Sequence, residues 1–311
     1  MTPKLYLGLV SFSFSSLAIF LNFLIAPPII HLAFVERKNT FYVIAFFNLL
    51  SDLLQLFAMF YLSISMLADH YLLIYERMGW ANLLVGGCFI GAWYMEGFLQ
   101  IVMSANRFTI ITLNKHHVFT HKFTFTLFFF LVSAAVFSVI SNQFLFPCCQ
   151  FIVDQEMMVV LYVDVDDMYS YSNLMNKVYS ISAASMASFF YFLVLNTIRK
   201  TTKIVSSSIS KQNQKRDIKY LLQFVFILIF YILAFVFYET MAIVVPPGHE
   251  EWYFVLTLMV ILNCSSNPIV YLSLNNDIRR ELKNTRCCAI FQKSQSTSLI
   301  FVLPAGHANT V

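Results

Sequence analysis

Seven long apolar stretches constrain the fold of this 311-residue sequence more than any other feature. They span about 5–35, 41–67, 80–109, 123–146, 173–198, 219–245 and 252–274. A helix that crosses a hydrocarbon core of roughly 30 Å needs about 20 mostly apolar residues, so each stretch is long enough to span a bilayer. In lipid every backbone N–H and C=O needs a partner within the structure, which favours helices.

The composition also indicates that most of the chain lies in lipid. Hydrophobic residues make up 59% of the chain and charged residues only 12%, against about 25% charged in soluble domains. The alternation of apolar and polar residues over about 10 positions that marks membrane barrel strands is absent. We therefore predict an all-α, seven-transmembrane helix bundle over residues 1–286 and a cytoplasmic tail over 287–311.

The basic residues predict the orientation of this bundle. Of the 20 lysines and arginines, 17 lie in the odd-numbered connectors, at the end of the third stretch or after the seventh. Only Lys4, Arg77 and Lys177 lie on the other side. The positive-inside rule then places the N-terminus outside and the C-terminus in the cytoplasm. This layout favours a membrane surface and a cytoplasmic protein as partners, and not nucleic acid.

A short segment after the seventh stretch, 275–286, has the pattern of an amphipathic helix on the inner membrane face. The apolar side chains that share one stripe are Leu274, Ile278 and Leu282. Cys287 and Cys288 follow directly, and juxtamembrane cysteines in this setting are candidate palmitoylation sites. The alternative is that both are free cytosolic thiols.

Three carboxylates fall inside the predicted spans: Asp52, Glu96 and Glu239. Ionisable groups in a bilayer cost several kcal/mol and are kept mostly where they face the bundle interior. Glu96 lies 11 residues before Arg107, about 16 Å along a helix and therefore near mid-depth, like Asp52.

Amides and a hydroxyl at a similar depth complete a candidate polar core. They belong to Asn22, Asn263, Ser266 and Asn267. Two acids at one depth repel each other unless a proton or cation lies between them. We therefore expect a connected cluster with water, or with a cation at Asp52 and Glu96; the alternative is a set of separate hydrogen bonds that only join helices.

The seventh stretch carries the most specific motif, Asn267-Pro268-Ile269-Val270-Tyr271. It resembles the Asn-Pro-x-x-Tyr sequence of rhodopsin-like G-protein-coupled receptors, in which the proline frees a carbonyl and creates a hinge. Asn22, Asp52 and Arg107 match the asparagine, aspartate and arginine that this superfamily has in its first three helices. The resemblance spans all seven stretches.

A narrower resemblance is to the nematode serpentine chemoreceptors of the Srx or Srsx class. It is carried by Trp93-Tyr94, by Ser104-Ala105-Asn106-Arg107-Phe108 and by Lys215-Arg216-Asp217-Ile218-Lys219. This resemblance implies a chemosensory receptor of the plasma membrane, with sensory cilia as one expected location. It implies a small-molecule ligand outside and a heterotrimeric G protein inside, with no catalysis.

The resemblance also suggests where each partner binds. A ligand is expected among the outer halves of the helices, with candidate residues Trp93, Tyr94, Tyr179, Glu239 and Trp252. Asn22, Asp52, Glu96, Asn263, Asn267 and Tyr271 form the expected polar switch. Arg107, Lys215, Arg216 and Lys219 are the expected contacts of the G protein. The aromatic candidates have a plainer alternative, as bundle core or as anchors at the membrane interface.

The chain departs from the wider superfamily at several positions. The acid beside the helix 3 arginine is replaced by Asn106, and Asn82 stands where a disulfide cysteine is usual. An outer bridge is therefore doubtful, unless Cys88 reaches Cys148 or Cys149. The seventh helix has no lysine for a retinal Schiff base, and no cofactor is expected.

Parts of the sequence also fit two other functions. In a transporter or channel, Asp52 and Glu96 would be ion ligands on a path, but the odd helix number without repeats argues against this. In a membrane enzyme, His116, His117 and His121 would be the candidate metal cluster, but no metalloprotease or hydrolase motif accompanies them. A basic, solvated inner loop is the simpler interpretation of the histidines.

Overall fold

The seven predicted spans are helices. In the computed structural model, residues 3–70, 76–115, 118–163, 165, 168–204, 208–246 and 248–284 are described, without the side chains at 201–204, 208–220, 223 and 242. The helices are α1 (Pro3–Ile30), α2 (Thr40–Ala68), α3 (Trp80–Ile111), α4 (His121–Ile140), α5 (Tyr171–Ile204), α6 (Ser208–Val244) and α7 (Phe254–Leu274). Seven helices of the described chain are long and apolar enough to cross a membrane.

Short irregular turns extend three of these helices. One π-turn, His31–Val35, continues α1 just after Pro27 and Pro28, and another, Ser141–Leu145, continues α4. A 3₁₀ turn, Glu250–Tyr253, leads into α7. The prolines remove two backbone donors from the last turns of α1, and the helix nevertheless continues into the π-turn.

The connector between the fifth and sixth spans is shorter than the predicted bounds of those spans imply. These bounds leave about 199–218 as the connector, yet α5 continues to Ile204 and α6 begins at Ser208. Polarity predicts which residues leave the bilayer but not their conformation, since lysine and glutamine are good helix formers in water. Elsewhere side-chain caps set the boundaries: Asn39 accepts from the Phe41 amide at 3.1 Å and Thr120 from the Phe123 amide at 3.2 Å.

Helices α3 and α4 differ most in how much of them is buried. In the most apolar part of each helix, 72% of the residues of α3 are buried in the bundle and only 17% of those of α4. Large side chains of α4 such as Phe129, Phe130 and Phe137 are exposed. A surface of this kind requires lipid around it, because a soluble protein rarely exposes contiguous apolar patches of this size. The protein is therefore a multi-pass membrane protein with α3 at its centre.

A β-hairpin lies across the end of the bundle that the positive-inside rule predicts to be outside; this end is called outer and the opposite end inner. Strand β1 (Phe151–Asp154) pairs antiparallel with β2 (Val159–Tyr162). The hairpin was not predicted, although two runs of β-branched and aromatic residues flank a polar turn in this connector, which is the usual signal. Ile152 and Val153 are completely buried, so the hairpin is packed into the bundle and not suspended above it.

Polar contacts tie the hairpin to the helices. The Nε of Arg77 donates to the buried carboxylate of Asp154 at 2.9 Å. The amide of Gln143, from the end of α4, donates to the Phe151 carbonyl at 2.8 Å and accepts from the Phe151 N–H at 3.0 Å. The Thr257 hydroxyl of α7 donates to the Met158 carbonyl at 2.8 Å.

The cysteines do not form the outer bridge that was considered. Cys148 is bonded to its neighbour Cys149, just before β1, and Cys88 is free and exposed on α3. Asn82, at the usual position of a disulfide cysteine, instead accepts from the Tyr61 hydroxyl at 2.9 Å and donates to two backbone carbonyls before α3. Hydrogen bonds therefore hold the outer end of α3 in this chain.

The amphipathic segment after α7 is a helix, α8, over 276–284. Ile278 is fully buried, and Asn275 caps the helix by accepting from the amides of Asp277 and Ile278. The Asp277 carboxylate binds Lys38 at 2.8 Å and the Tyr42 hydroxyl at 3.0 Å. The helix that the pattern predicted is thus present, and its contacts attach it to the connector before α2 and to the start of α2.

Candidate functional site

A cluster of buried carboxylates and amides occupies the middle of the bundle. Glu96 of α3 is fully buried, and each of its oxygens accepts one amide hydrogen bond. Gln55 of α2 donates to Oε2 and Asn263 of α7 donates to Oε1, both at 2.8 Å. Glu96 therefore joins α2, α3 and α7 through two hydrogen bonds.

Asp52 lies nearer the inner end of the same cluster. Asn267 of α7 donates to its Oδ2 at 2.7 Å, and Asn48 approaches the same oxygen at 3.5 Å. Asn22 of α1 donates to the Cys264 carbonyl at 3.2 Å and so joins α1 to α7. The structure thus buries these predicted residues in the bundle interior, in hydrogen-bonded groups around Glu96, Asp52 and the Cys264 carbonyl, with Gln55 as an additional member.

Several oxygens of this cluster have no protein partner. They belong to Asn22, Asn48, Asp52, Gln55, Asn263, Ser266 and Asn267. Buried polar groups are normally satisfied, so such atoms require an explanation such as a water or an ion. Carboxylate, amide and hydroxyl oxygens are the ligands that a hard cation prefers, and the donor set fits such an ion or ordered water.

A small cavity lies outward of the polar core. Its volume is about 30 Å³, and its walls include Trp93 of α3, Tyr238 of α6 and Thr257 of α7. Three hairpin residues, Phe151, Val159 and Val160, also line it. Trp93 stacks on Tyr231 with ring centroids 4.9 Å apart and donates to the Ser180 hydroxyl at 3.2 Å. Of the predicted ligand residues, Trp93 is the one found in this wall.

The other predicted aromatic residues of α3 and α5 lie beside the cavity, where they join helices. The Tyr179 hydroxyl donates to the Tyr94 carbonyl, and Asn142 donates to the Tyr94 hydroxyl. The rings of Tyr94 and Tyr179 meet edge to face, with centroids 4.8 Å apart. One face of Tyr179 also borders an apolar hollow of about 520 Å³ on the α5 surface.

The last two predicted ligand residues lie apart from the cavity wall. Glu239 of α6 forms an ion pair with Lys177 of α5 at 2.9 Å. Trp252, in the turn before α7, has half of its surface exposed and lies 6.2 Å from His249, centroid to centroid. Trp252 is thus placed like an interface anchor.

A wider apolar groove lies between the middle of α2 and the outer parts of α3 and α4. Its volume is about 550 Å³, and Gly87, Cys88 and Gly91 of α3 line it. The absence of a side chain at Gly91 lets α3 and α4 approach each other closely here, because a Cβ at this position would lie 2.9 Å from a methyl group of Val139 in α4. The sequence patterns did not identify this groove.

The inner end of α3 carries Arg107, which is 8% exposed. Its guanidinium lies among aromatic rings of α2 and α6, and Tyr271 of α7 is fully buried nearby. Lys215, Arg216 and Lys219 lie on the inner part of α6, where side chains are outside the described residues. Cys287 and Cys288 also lie outside the described residues.

One group of side chains at the inner surface has ligand atoms close enough to hold a metal ion. His31, Glu36 and Glu281 bring one such atom each within 4.8 Å of the others. Glu36 is exposed, and His31 already lies 3.0 Å from Glu281. Of the histidines first considered, His116 and His117 are outside the described residues and His121 begins α4.

Two comparisons with known proteins match most of the chain. Residues 12–273 match the family model described as "Serpentine type 7TM GPCR chemoreceptor Srx". The crystal structure of squid rhodopsin superposes with a TM-score of 0.72 at 13% sequence identity, over 99% of this chain and 95% of that one. At this identity the superposition shows the fold alone. No curated protein sequence matches the chain.

Proposed function

Because the chain belongs to the Srx family of serpentine chemoreceptors, which are G-protein-coupled receptors and not enzymes, we propose that it binds a small molecule from outside and passes the signal to a heterotrimeric G protein. The observation that carries this proposal is the buried polar core. It lies between an outer cavity and Arg107, and its hydrogen bonds join α1, α2, α3 and α7.

The ligand site is the outer cavity around Trp93, with Tyr94 and Tyr179 as supporting residues. A volume of about 30 Å³ holds a single water and not an organic ligand. Ligand binding therefore requires the hairpin or the outer ends of the helices to move apart. The Glu239 carboxylate is paired with Lys177 in this structure. A cationic group of the ligand would replace Lys177 as its partner.

The switch is the polar core of Asn22, Asp52, Glu96, Asn263, Asn267 and Tyr271. Its unpartnered oxygens allow the amides to bond in more than one arrangement, as a two-state element requires. A proton or a cation between Asp52 and Glu96 would favour one arrangement, because it removes the repulsion between the acids. A ligand shifts this equilibrium only through its different affinity for the two states.

The G protein docks at the inner end, on Arg107 and the basic residues Lys215, Arg216 and Lys219. This arrangement requires the N-terminus outside and the C-terminus in the cytoplasm, as the positive-inside rule predicts.

Palmitoylation at Cys287 and Cys288 would anchor the tail next to α8. It is tested by thioester-sensitive labelling of the wild type and of the Cys287→Ser, Cys288→Ser double variant.

A cell reporter for G-protein activation tests the proposal, with a panel of volatile and soluble small molecules as stimuli. Arg107→Ala should abolish the response to any molecule that activates the wild type, at equal surface expression. Lys122→Ala is the matched control, because Lys122 is an exposed basic residue of the same side, at the start of α4. An unchanged response in Arg107→Ala would refute the docking site.

A flux assay separates the receptor from a channel or transporter. The purified protein in liposomes should show no cation flux above empty liposomes, with or without an activating molecule. Asp52→Asn and Glu96→Gln should alter the reporter response without creating or removing a flux. A flux that both substitutions abolish would show that the acids line an ion path.

A further inference from the structure

Arg107 is enclosed by two phenylalanine rings that come from different helices. The guanidinium carbon lies 5.1 Å from the ring centroid of Phe41 in α2 and 4.9 Å from that of Phe224 in α6. Both rings are buried, and their centroids are 5.3 Å apart at an interplanar angle of 73°. Both distances fall within the range of about 6 Å in which a cation is attracted by the face of a ring.

The residue before Arg107 explains why aromatic contacts matter here. In related receptors an acid stands at this position, whereas this chain has Asn106, whose side-chain nitrogen is buried without a partner. Asn106 cannot supply a negative charge. Ring quadrupoles attract a cation most strongly where water is excluded, and Arg107 is almost completely buried.

The two rings connect the arginine to the helices that a receptor has to move. Phe224 lies on α6, and Phe41 also meets Tyr271 of α7 edge to face, with centroids 6.2 Å apart. An outward movement of the inner end of α6 would withdraw Phe224 from the guanidinium and leave the cation open to the cytoplasm. Phe224 is therefore a direct contact between Arg107 and α6.

We propose that Phe41 and Phe224 form an aromatic clamp on Arg107 that keeps the receptor in its inactive arrangement, and that withdrawal of Phe224 frees Arg107 for the G protein. This inference rests on the proposed function, since it assumes that Arg107 is the coupling residue. Phe41 and Phe224 are positioning residues, which act through Arg107.

The test is agonist-independent signalling in the reporter cell, normalised to surface expression. Phe224→Leu keeps the apolar volume but removes the ring face, and it should raise basal signalling about fivefold, the ratio that one cation–π contact of intermediate strength supplies. Phe224→Tyr keeps the ring and should retain the wild-type level. Phe226→Leu, on the exposed face of α6, is the matched control and should change nothing.

Adding Arg107→Ala to Phe224→Leu should remove the raised signal. The clamp is refuted if Phe224→Leu signals no more than the wild type. It is equally refuted if the raised signal persists without Arg107, because the ring would then act elsewhere. If basal signalling rises as much in Phe226→Leu as in Phe224→Leu, the cause is a general loosening of α6 and not the loss of the clamp.

A second measurement does not depend on any G protein. Spin labels at Leu113 and Leu222, both exposed near the inner ends of α3 and α6, report the separation of these ends in nanodiscs. Phe224→Leu should populate longer distances, and Phe224→Tyr should not. Longer distances without a G-protein signal would support the clamp and refute the proposed function; unchanged distances would refute the clamp whatever the signal.

Discussion

Replacement of Gly86 by alanine tests how closely the outer hairpin is seated on α3. A Cβ at Gly86 would lie 2.3 Å from the carbonyl oxygen of Phe151 and 2.9 Å from the Cα of Ile152, which are backbone atoms of β1. Ordinary contact begins near 3.4 Å, so β1 would have to move by about 1 Å. Gly87, the next residue, is the matched control, because its Cβ would meet the Gln143 side chain at 3.4 Å.

The two variants should change stability in opposite directions. Alanine in place of a helical glycine contributes up to about 1 kcal/mol, and Gly87→Ala should gain part of this. Overpacking costs about 1–3 kcal/mol, and the upper part of this range applies to Gly86→Ala because a strand backbone cannot rotate aside. We expect Gly86→Ala to lose about 1–2 kcal/mol of unfolding free energy relative to the parent protein.

Thermal unfolding in detergent micelles measures the difference. The buried thiol of Cys264 in α7 reports unfolding through a thiol-reactive fluorogenic dye, once Cys88, Cys287 and Cys288 are replaced by serine. At about 2–4 °C per kcal/mol, Gly86→Ala should unfold at least about 2 °C below the parent, and Gly87→Ala at or above it. Equal transitions for the two variants would mean that the hairpin does not rest on α3 at this point.

Two further predictions concern ion pairs at opposite ends of the bundle. Arg77→Ala removes the cation that pairs with the buried carboxylate of Asp154 and should speed amide hydrogen exchange in the hairpin. Adding Asp154→Asn to the same chain should restore part of the protection, because the unpaired charge is then gone. If it restores none, the unpaired charge is not the cause of the faster exchange. At the inner end, burial raises the pKa of Asp277, but hydrogen bonds from Lys38 and Tyr42 and the charge of Lys38 outweigh it, so the pKa lies below its usual value. The attachment of α8 should therefore persist at neutral pH and weaken as the pH falls through that lowered pKa, whereas Asp277→Asn should speed amide exchange over 276–284 at neutral pH.

The sequence predicts the helical part of this fold because hydrophobic length alone determines it. The polar core was also predictable, since Asp52 and Glu96 are expensive in lipid unless they face the bundle. The hairpin and the rings around Arg107 were not predicted. Both depend on contacts between distant segments, and no pattern in the local sequence of Phe41 or Phe224 marks them as partners of α3.

The buried face of α3 explains how events at the two ends can be linked. Trp93, Glu96, Gln100, Ser104 and Arg107 follow one another at intervals of three or four residues, so they lie on a single face of the helix. All five are buried, and Gln100 has no partner for either of its side-chain polar atoms. A small rotation or shift of α3 would therefore change the cavity wall, the bonds of Glu96 and the position of Arg107 together. If the proposed switch has a second arrangement, Gln100 would form new hydrogen bonds in it, because a buried amide without partners in one arrangement gains most from a change.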